Sequence, residues 1–524
     1  MKRSSKNQTS QLWAALFLCI VIPALAWGQK PSKPAAPAPA PKAPAAPHAA
    51  APSRPSTPAS HSASTTPHTA TTARTPTTAR TATSPHTTTP ARTATTGRTA
   101  STPAGKTAAA TTAHTAAPTA ARTTAHTPPG KTVSLKGGGS ASIRPNGQIR
   151  SVNRNGMQIS RGVHGQRTVV STRNGVRVVS VAGRGGYVQR AYVTRGGVSY
   201  YSRTYYSGGV YRTGVYRGYY YGGRPYYGYY PAYYYQPVYY GWAYNPWPAP
   251  VAYGWGWGGA PWYGYYGAYF EPYPVYPSAA FWLADFVLAA SLQAAFAAQA
   301  ATQEGLLYPF GPDGRLVASL GLIPAPADTA KLSPEVKKAL SEEVKTLLAA
   351  EQADASKGKS ASTPPPASKD QAPPALDPNF RTFVVSSDIS LVVDGKECGL
   401  TNGDVITRTT DTADADQNVN VKVAAANKAD CAVGSEGPVA VDDLQEMYNN
   451  FREQLKNGMG ELAKKQGTGG LPKAPDTTTT AGDVPAPEPD KTAEKSLKDQ
   501  QSAADQTESE VKQEAGAGSS GGSQ

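Results

Sequence analysis

The chain has 524 residues, of which 51 are Lys or Arg and 36 are Asp or Glu, so its formal net charge is +15. No acidic residue precedes Glu271, whereas 29 basic residues do; the other 22 basic residues stand against all 36 acidic ones, which gives the second part a charge of −14. This asymmetry excludes a uniformly basic polyanion binder and restricts a polyanion partner to residues 29–270.

The pattern of residues 1–28 is typical of a secretory signal peptide. Lys2, Arg3 and Lys6 precede an uncharged apolar run that ends in the small-residue segment Ala-Leu-Ala at 24–26. The alternative is an uncleaved N-terminal anchor, but the run is shorter than the about 20 residues that a membrane span needs. We therefore predict export to the periplasm, the cell envelope or the extracellular space.

Residues 29–135 are expected to form a disordered stalk rich in Pro, Ala and Thr. Between residues 30 and 129 the chain is almost only Pro, Ala, Thr, Ser, His and Arg, with no aromatic residue. Its apolar side chains are too few to offset the conformational entropy that ordering costs. Six histidines lie in this segment at separations of 7 to 28 residues, and without a rigid scaffold they predict no metal site and no cofactor.

Residues 136–222 combine turn dipeptides with short runs of β-branched residues. Seven dipeptides, from Asn146-Gly147 to Gly208-Gly209, recur at steps of 9 to 12 residues. Asn-Gly between such runs is the strongest local signal for a two-residue hairpin turn. The pattern predicts a short antiparallel β-meander of hairpin repeats with little core.

Arginines recur on or beside most of these predicted strands, in a region without acidic residues. Because Arg matches phosphate and carboxylate groups bidentately, the strands are a candidate binding site for an anionic polysaccharide or another polyanion. The alternative is a solvated surface whose charge prevents sheet-to-sheet aggregation. No nucleic-acid module is recognised, so specific nucleic-acid binding is not predicted. The candidate residues are Arg150, Arg154, Arg161, Arg167, Arg173, Arg177, Arg184, Arg190, Arg195 and Arg203.

Residues 223–277 are rich in Tyr, Trp, Gly and Pro, and 28 of the 30 tyrosines lie between 187 and 276. The interspersed Gly and Pro disfavour a regular helix or a long ladder. Exposed rings stack on sugars and on each other, so we predict an adhesive or self-associating surface. The alternative is an aromatic cluster folded against the following helix. The candidate contact residues are Tyr226, Tyr227, Tyr239, Tyr240, Trp242, Trp247, Trp255, Trp257 and Trp262.

Two isolated helices are predicted next. Residues 278–303 are apolar on nearly all sides, but Asp285 argues against a membrane span, since a charge at the centre of a span costs about 2.5 to 3.5 kcal/mol. We expect this helix to pack on the aromatic segment or to lie at an interface; membrane contact stays an open question. Residues 332–351 form an amphipathic helix with Ser333 as its N-cap. Residues 352–378 are predicted to be a linker.

Residues 379–466 have the pattern of a small folded domain, mostly β, with a C-terminal helix. Short β-branched runs separated by Asp-Gly and Asn-Gly turns predict its strands. Cys398 and Cys431 would close a loop of about 34 residues, and export favours a disulfide between them over the alternative of two free buried thiols. Residues 467–524 are mostly Thr, Pro, Asp, Glu, Lys, Gly and Ser, which predicts a disordered acidic tail.

No catalytic constellation stands out, and we predict that the protein is not an enzyme. No His follows His164, so the C-terminal domain has neither a His base nor a His metal ligand. The acidic loop with Asp411, Asp414 and Asp416 lacks the Gly and the bidentate Glu of an EF-hand. A solvated turn is therefore favoured over a calcium site.

Two stretches carry a resemblance to a group of proteins. One is Tyr-Gly-Trp-Ala-Tyr-Asn-Pro-Trp-Pro-Ala-Pro at residues 240–250, followed by Phe-Trp-Leu-Ala-Asp at 281–285; the other is Asp-Asp-Leu-Gln-Glu-Met at 442–447, near Cys431. They resemble uncharacterised exported bacterial proteins with a Tyr/Gly/Pro-rich middle region and a small C-terminal β-domain that contains Cys. The resemblance implies an envelope setting and no particular activity.

The sequence predicts a largely disordered, low-complexity chain with a short antiparallel β-meander, one or two isolated helices, and a small α+β C-terminal domain, mostly β, with a terminal helix. The predicted function is that of a non-enzymatic exported envelope or surface protein whose basic, aromatic region binds a polyanion or glycan or associates with itself. The alternative is a periplasmic scaffold or assembly factor that binds a protein partner through its C-terminal β-domain. Whether the basic and acidic halves bind each other is left open.

Overall fold

A computed structural model describes residues 128–182, 185–207, 209–303, 330–357, 370–428 and 430–517. The predicted signal peptide, the predicted stalk up to residue 127 and Arg184 lie outside these ranges. The described chain contains a ten-stranded sheet, a smaller four-stranded sheet, two two-stranded sheets and several long helices.

Ten consecutive strands form one antiparallel sheet in which each strand pairs with the next along the chain. The strands are β1 (Lys131–Ser134), β2 (Ser140–Ile143), β3 (Ile149–Arg154), β4 (Met157–Arg161), β5 (Arg167–Arg173), β6 (Val176–Val181), β7 (Gly185–Arg195), β8 (Val198–Ser207), β9 (Val210–Tyr221) and β10 (Arg224–Tyr230). The three longest strands are β7, β8 and β9, with 11, 10 and 12 residues, so this part of the sheet extends beyond the earlier hairpins.

Two of the predicted Asn-Gly turns have the backbone that a two-residue hairpin requires. Asn155 and Asn174 have φ of 52° and 51°, and the glycines that follow them have φ of 71° and 74°. Positive φ at both central residues matches the right-handed twist of the flanking strands. These turns set the register of β3 with β4 and of β5 with β6.

One face of this sheet is covered by a C-terminal helix, α6 (Ala493–Ala517). The register aligns one row of side chains across β2 to β5, and successive residues of a strand point to opposite faces. This row packs against Ala504 and Val511 of the helix. Its members are Ala141, Val152, Ile159 and Val169.

The predicted disordered tail, residues 467–524, instead contains α6 and a short strand, β18 (Thr479–Ala481), which pairs with β11 (Tyr233–Tyr235). The physical reason is a stripe of side chains spaced three, four or seven residues apart, which one face of a helix brings together. All of them are buried against the sheet. The stripe consists of Ala493, Leu497, Gln500, Ala504 and Val511.

The remaining elements form a second core. Its strands are β12 (Thr382–Val384), β13 (Ile389–Val393), β14 (Lys396–Leu400), β15 (Val405–Arg408), β16 (Asn418–Ala425) and β17 (Glu436–Ala440). Strands β12, β15, β16 and β17 make a four-stranded antiparallel sheet, and β13 and β14 make a separate hairpin. The helices are α1 (Pro237–Tyr244), α2 (Pro261–Tyr266), α3 (Ala279–Gln303), α4 (Pro334–Lys357) and α5 (Val441–Lys465).

The predicted fold class is wrong, because the meander is a large ten-stranded sheet and the helices are not isolated. Helix α3 packs against α4 and α5, and its Trp282 lies in one continuous core with Leu348 of α4 and Phe451 of α5. A helix that is apolar on all sides must be covered by other elements on all sides. The aromatic segment, α4 and the C-terminal domain therefore pack around α3 in one core.

Helix α3 is also the one described helix whose length and composition would suit a membrane span, over residues 279–300. About two thirds of its apolar window is buried inside the protein, at 67%. The rest of the core therefore supplies the apolar surroundings that its sequence requires.

Candidate functional site

Four of the candidate arginines lie together on the sheet face that α6 covers, which we call the α6 face. Arg161 and Arg167 are directly opposite each other on β4 and β5. Arg161 donates from Nε and Nη2 to the two carboxylate oxygens of Glu508, at 2.8 and 2.6 Å. Arg167 bonds Asp505 and lies 3.5 Å from the same Glu508. This shared carboxylate offsets the repulsion between the two facing arginines.

The other two arginines of the α6 face lie at its ends. Arg154 on β3 reaches Glu510 at 3.2 Å and Glu514 at 3.5 Å. Arg190 on β7 reaches Asp490, just before α6, at 2.7 Å. Acidic groups in the last 35 residues of the chain therefore occupy the α6 face from end to end.

Arg150 and its neighbour Arg144 converge on one carboxylate of the C-terminal domain, that of Glu397 on β14. The two guanidinium groups lie 2.9 and 2.8 Å from its oxygens. Burial by itself would raise the pKa of Glu397, but hydrogen bonds from Arg144 and Arg150 outweigh it and lower the pKa to about 2. This group ties the early strands of the sheet to the β13–β14 hairpin.

Arg203 lies on the face opposite α6 and is completely buried. Its Nη1 and Nη2 donate to the carboxylate of Glu446 on α5 at 2.7 and 2.8 Å, and its Nε donates to Gln189 at 2.6 Å. The rings of Tyr187 and Tyr216 lie 4.2 and 3.9 Å from the guanidinium carbon. Burial opposes ionisation of Glu446, but the charge of Arg203 prevails and keeps its pKa below the usual value.

The other three described candidate arginines have no acidic side chain within ion-pair distance among the described residues. Arg177 is half-buried beside Tyr187. Arg173 and Arg195 are exposed at the ends of β5 and β7. The nine described candidate arginines therefore do not form one continuous basic surface: four share the α6 face, and Arg150 and Arg203 bind carboxylates of the C-terminal domain.

Eight of the nine candidate aromatic residues belong to the second core or pack against it, and Tyr227 instead contacts Tyr201 of the large sheet. Tyr226, Tyr239, Tyr240, Trp247 and Trp262 are buried, and the other four are partly buried. The ring of Trp255 stacks between Trp257 at 4.2 Å and Trp282 of α3 at 4.5 Å. This is the arrangement of the alternative interpretation, an aromatic cluster folded against the following helix.

Asp285 of α3 is held inside this core by a specific set of donors. Its Oδ2 accepts hydrogen bonds from the Tyr276 hydroxyl at 2.8 Å and the Tyr273 amide at 2.6 Å. Lys337 of α4 lies 3.5 Å from Oδ1. Burial raises the pKa of Asp285 to about 6 in spite of these partners. The pair stabilises the contact of α3 with α4 and gives Asp285 a structural role.

Cys398 and Cys431 form a disulfide, the pairing expected from the sequence, with Cα atoms 5.2 Å apart. In the acidic loop, Asp411 bonds Arg381 at 2.7 Å and Arg408 at 2.8 Å, and Asp414 accepts the amides of Asp416 and Asn418. Across the described ranges, no group of three or more His, Cys, Asp or Glu is placed to hold a metal ion.

Sequence reasoning did not identify the acidic partners of the arginines, above all Glu397, Glu446 and Glu508. The signal that could have found them is the confinement of all acidic residues to the second part of the chain. Two long segments of opposite charge in one molecule attract each other, so each is a candidate ligand of the other.

No protein-family model, no curated protein and no solved structure matches this chain.

Proposed function

We propose that the protein is a non-enzymatic exported envelope protein that binds anionic polymers chiefly through its N-terminal basic segment, residues 29–127. The sheet and the C-terminal half then act as a folded body to which this segment is attached. The proposal moves the main polyanion contact away from the sheet, because six of the ten sheet arginines that the sequence singled out have carboxylate partners within the chain.

The observation that carries the proposal is the balance of charge. Of the 51 basic residues, 13 precede residue 128, which leaves 38 against the 36 acidic residues of the rest of the chain. Residues 128–524 thus have a net charge of only +2. Within them, arginines are neutralised by carboxylates in direct ion pairs, as in Arg161 with Glu508 and Arg203 with Glu446. Residues 29–127 hold ten basic residues and no acidic one, so the charge available to an external polyanion is concentrated there.

The proposal is tested with the exported chain and a variant in which these ten residues are replaced by Gln. The residues are Lys30, Lys33, Lys42, Arg54, Arg74, Arg80, Arg92, Arg98, Lys106 and Arg122. Retention on an immobilised acidic polysaccharide and on anionic vesicles is measured over a salt series. We expect the affinity of the variant to be about tenfold or more below that of the parent. The binding of the parent should weaken as the salt concentration rises.

A matched control replaces ten threonines of the same segment by Gln and keeps its charge. It should bind as the parent does. Equal retention of the charge variant and the control would contradict the proposal and favour the scaffold alternative, in which the C-terminal domain binds a protein partner. Self-association, the other predicted role, is measured on the same proteins by sedimentation.

A further inference from the structure

Helix α6 binds the sheet as an acidic ligand would. Its acidic residues that face the sheet contact arginines, as Asp505 and Glu508 do. Its lysines Lys495 and Lys498 are 79% and 71% exposed and pair with acids of the helix itself. The helix therefore presents negative charge to the sheet and mixed charge to the solvent.

The apolar part of this contact is small. Apart from the polar Gln500 and Glu508, the buried side chains of α6 are three short ones, two Ala and one Val, and Leu497. Gln500 adds hydrogen bonds to the Ser171 hydroxyl and the Val178 carbonyl oxygen, at 2.9 and 2.7 Å. The attachment thus depends strongly on its ion pairs, and ion pairs are open to competition by another anion and by salt.

We propose that the α6 face is a binding surface for a linear polymer that bears carboxylates, such as an acidic polysaccharide, and that α6 is its intramolecular competitor. The groups that occupy the arginines are themselves carboxylates, and Glu508 meets the Arg161 fork in the two-bond geometry that a uronate carboxylate also offers. This surface is separate from residues 29–127, so it adds a second, covered site to the proposed function.

The arrangement of the four arginines favours an extended ligand over a small acid. They stand on β3, β4, β5 and β7 of one sheet. Neighbouring strands lie about 4.8 Å apart, so the arginines span about 19 Å. Only a chain of several acidic units reaches all of them, as the segment 490–514 does with Asp490 before the helix and four acidic residues on it.

The test uses the full exported chain and polygalacturonate as the probe. A release variant, Glu508→Gln with Glu514→Gln, removes partners of Arg161, Arg167 and Arg154. A matched control, Asp499→Asn with Glu488→Gln, removes the same amount of charge from two exposed acids in and just before the helix, of which Asp499 pairs with Lys495 of the helix itself. We expect the release variant to bind about tenfold more tightly than the control, because the competitor is weakened.

Two further measurements decide the inference. Adding Arg161→Gln and Arg167→Gln to the release variant should abolish the gain in affinity. In the unmodified chain, polygalacturonate should increase hydrogen exchange over residues 493–517, and neutral dextran should not. Equal binding of the release and control variants, or unchanged exchange in α6 at saturating polymer, would overturn the inference.

The gain is measured again in the chain whose ten N-terminal basic residues are replaced by Gln. A gain that persists there supports the α6 face whatever the outcome for residues 29–127. A gain that disappears there overturns the inference, because the added affinity would then belong to the N-terminal segment.

Discussion

The two faces of the ten-stranded sheet use the same side chain in different ways. On the α6 face, arginines bind carboxylates at a partly open boundary, as Arg190 does with Asp490, where the arginine side chain is 40% exposed. On the opposite face, the Arg203 side chain is completely buried between two tyrosine rings and Glu446, although Glu446 itself is 32% exposed. Burial of the arginine separates the two cases: the exposed Arg190 can exchange its partner, whereas the buried Arg203 fixes the sheet to α5.

The strongest test of this comparison is Arg203→Met, which leaves the Glu446 carboxylate without its charged partner. We expect the free energy of unfolding to fall by about 3 kcal/mol, the upper end for hydrogen bonds to charged groups, because Arg203 is completely buried and donates two of them to Glu446. Urea denaturation followed by fluorescence measures it. The double variant Arg203→Met with Glu446→Met should be less destabilised than the single one; an equal or larger loss would show that packing, not the charge pair, governs this site.

The Glu397→Gln variant tests whether the stability that an arginine pair contributes depends on its burial rather than on the sheet face that it occupies. Glu397→Gln should lower stability at pH 7 by about 2 kcal/mol, the range of hydrogen bonds to charged groups. The folded-state pKa of about 2 is below the usual value, so the stabilisation is complete above about pH 4.5 and is lost as the pH falls toward 2. Unfolding curves of both proteins between pH 2 and 7 should therefore converge at the acid end. A constant difference would contradict the assignment.

The smallest effect is expected on the open side. Arg190→Gln should change the free energy of unfolding by less than about 1 kcal/mol, and 0.5 M salt should reduce the difference further. Arg195→Gln, at an exposed arginine without an ion pair among the described residues, is the control and should change nothing measurable. A loss at Arg190 as large as that at Arg203 would remove the distinction between the two faces.

Local signals predicted the local structure. Asn155-Gly156 and Asn174-Gly175 form the expected hairpin turns because the backbone of two residues is determined by those residues. The disulfide between Cys398 and Cys431 lies within one small domain, at a separation of 33 residues. Such features depend on neighbours in the sequence or on a single domain.

The long-range structure was not predictable from single segments. The predicted meander over residues 136–222 was expected to have little core, but α5 and α6 supply partners on the two faces of the sheet. In the sequence, Asp285 served only to argue against a membrane span. In the structure its carboxylate accepts hydrogen bonds from Tyr273 and Tyr276 and lies near the distant Lys337. Which helix covers which face of the sheet depends on the distribution of charge along the whole chain, and no short segment of the sequence shows it.

The pairing of Arg154 with Glu514 joins residues 360 positions apart. A chain made from its N-terminus carries its basic strands for most of its synthesis before any acid that closes the α6 face exists. Contacts between such distant segments slow folding, since a long loop must close before they form. Completion of the α6 face thus waits for residues 490–517, and a chain cut just before α6 would expose Arg154, Arg161 and Arg167 without their carboxylate partners.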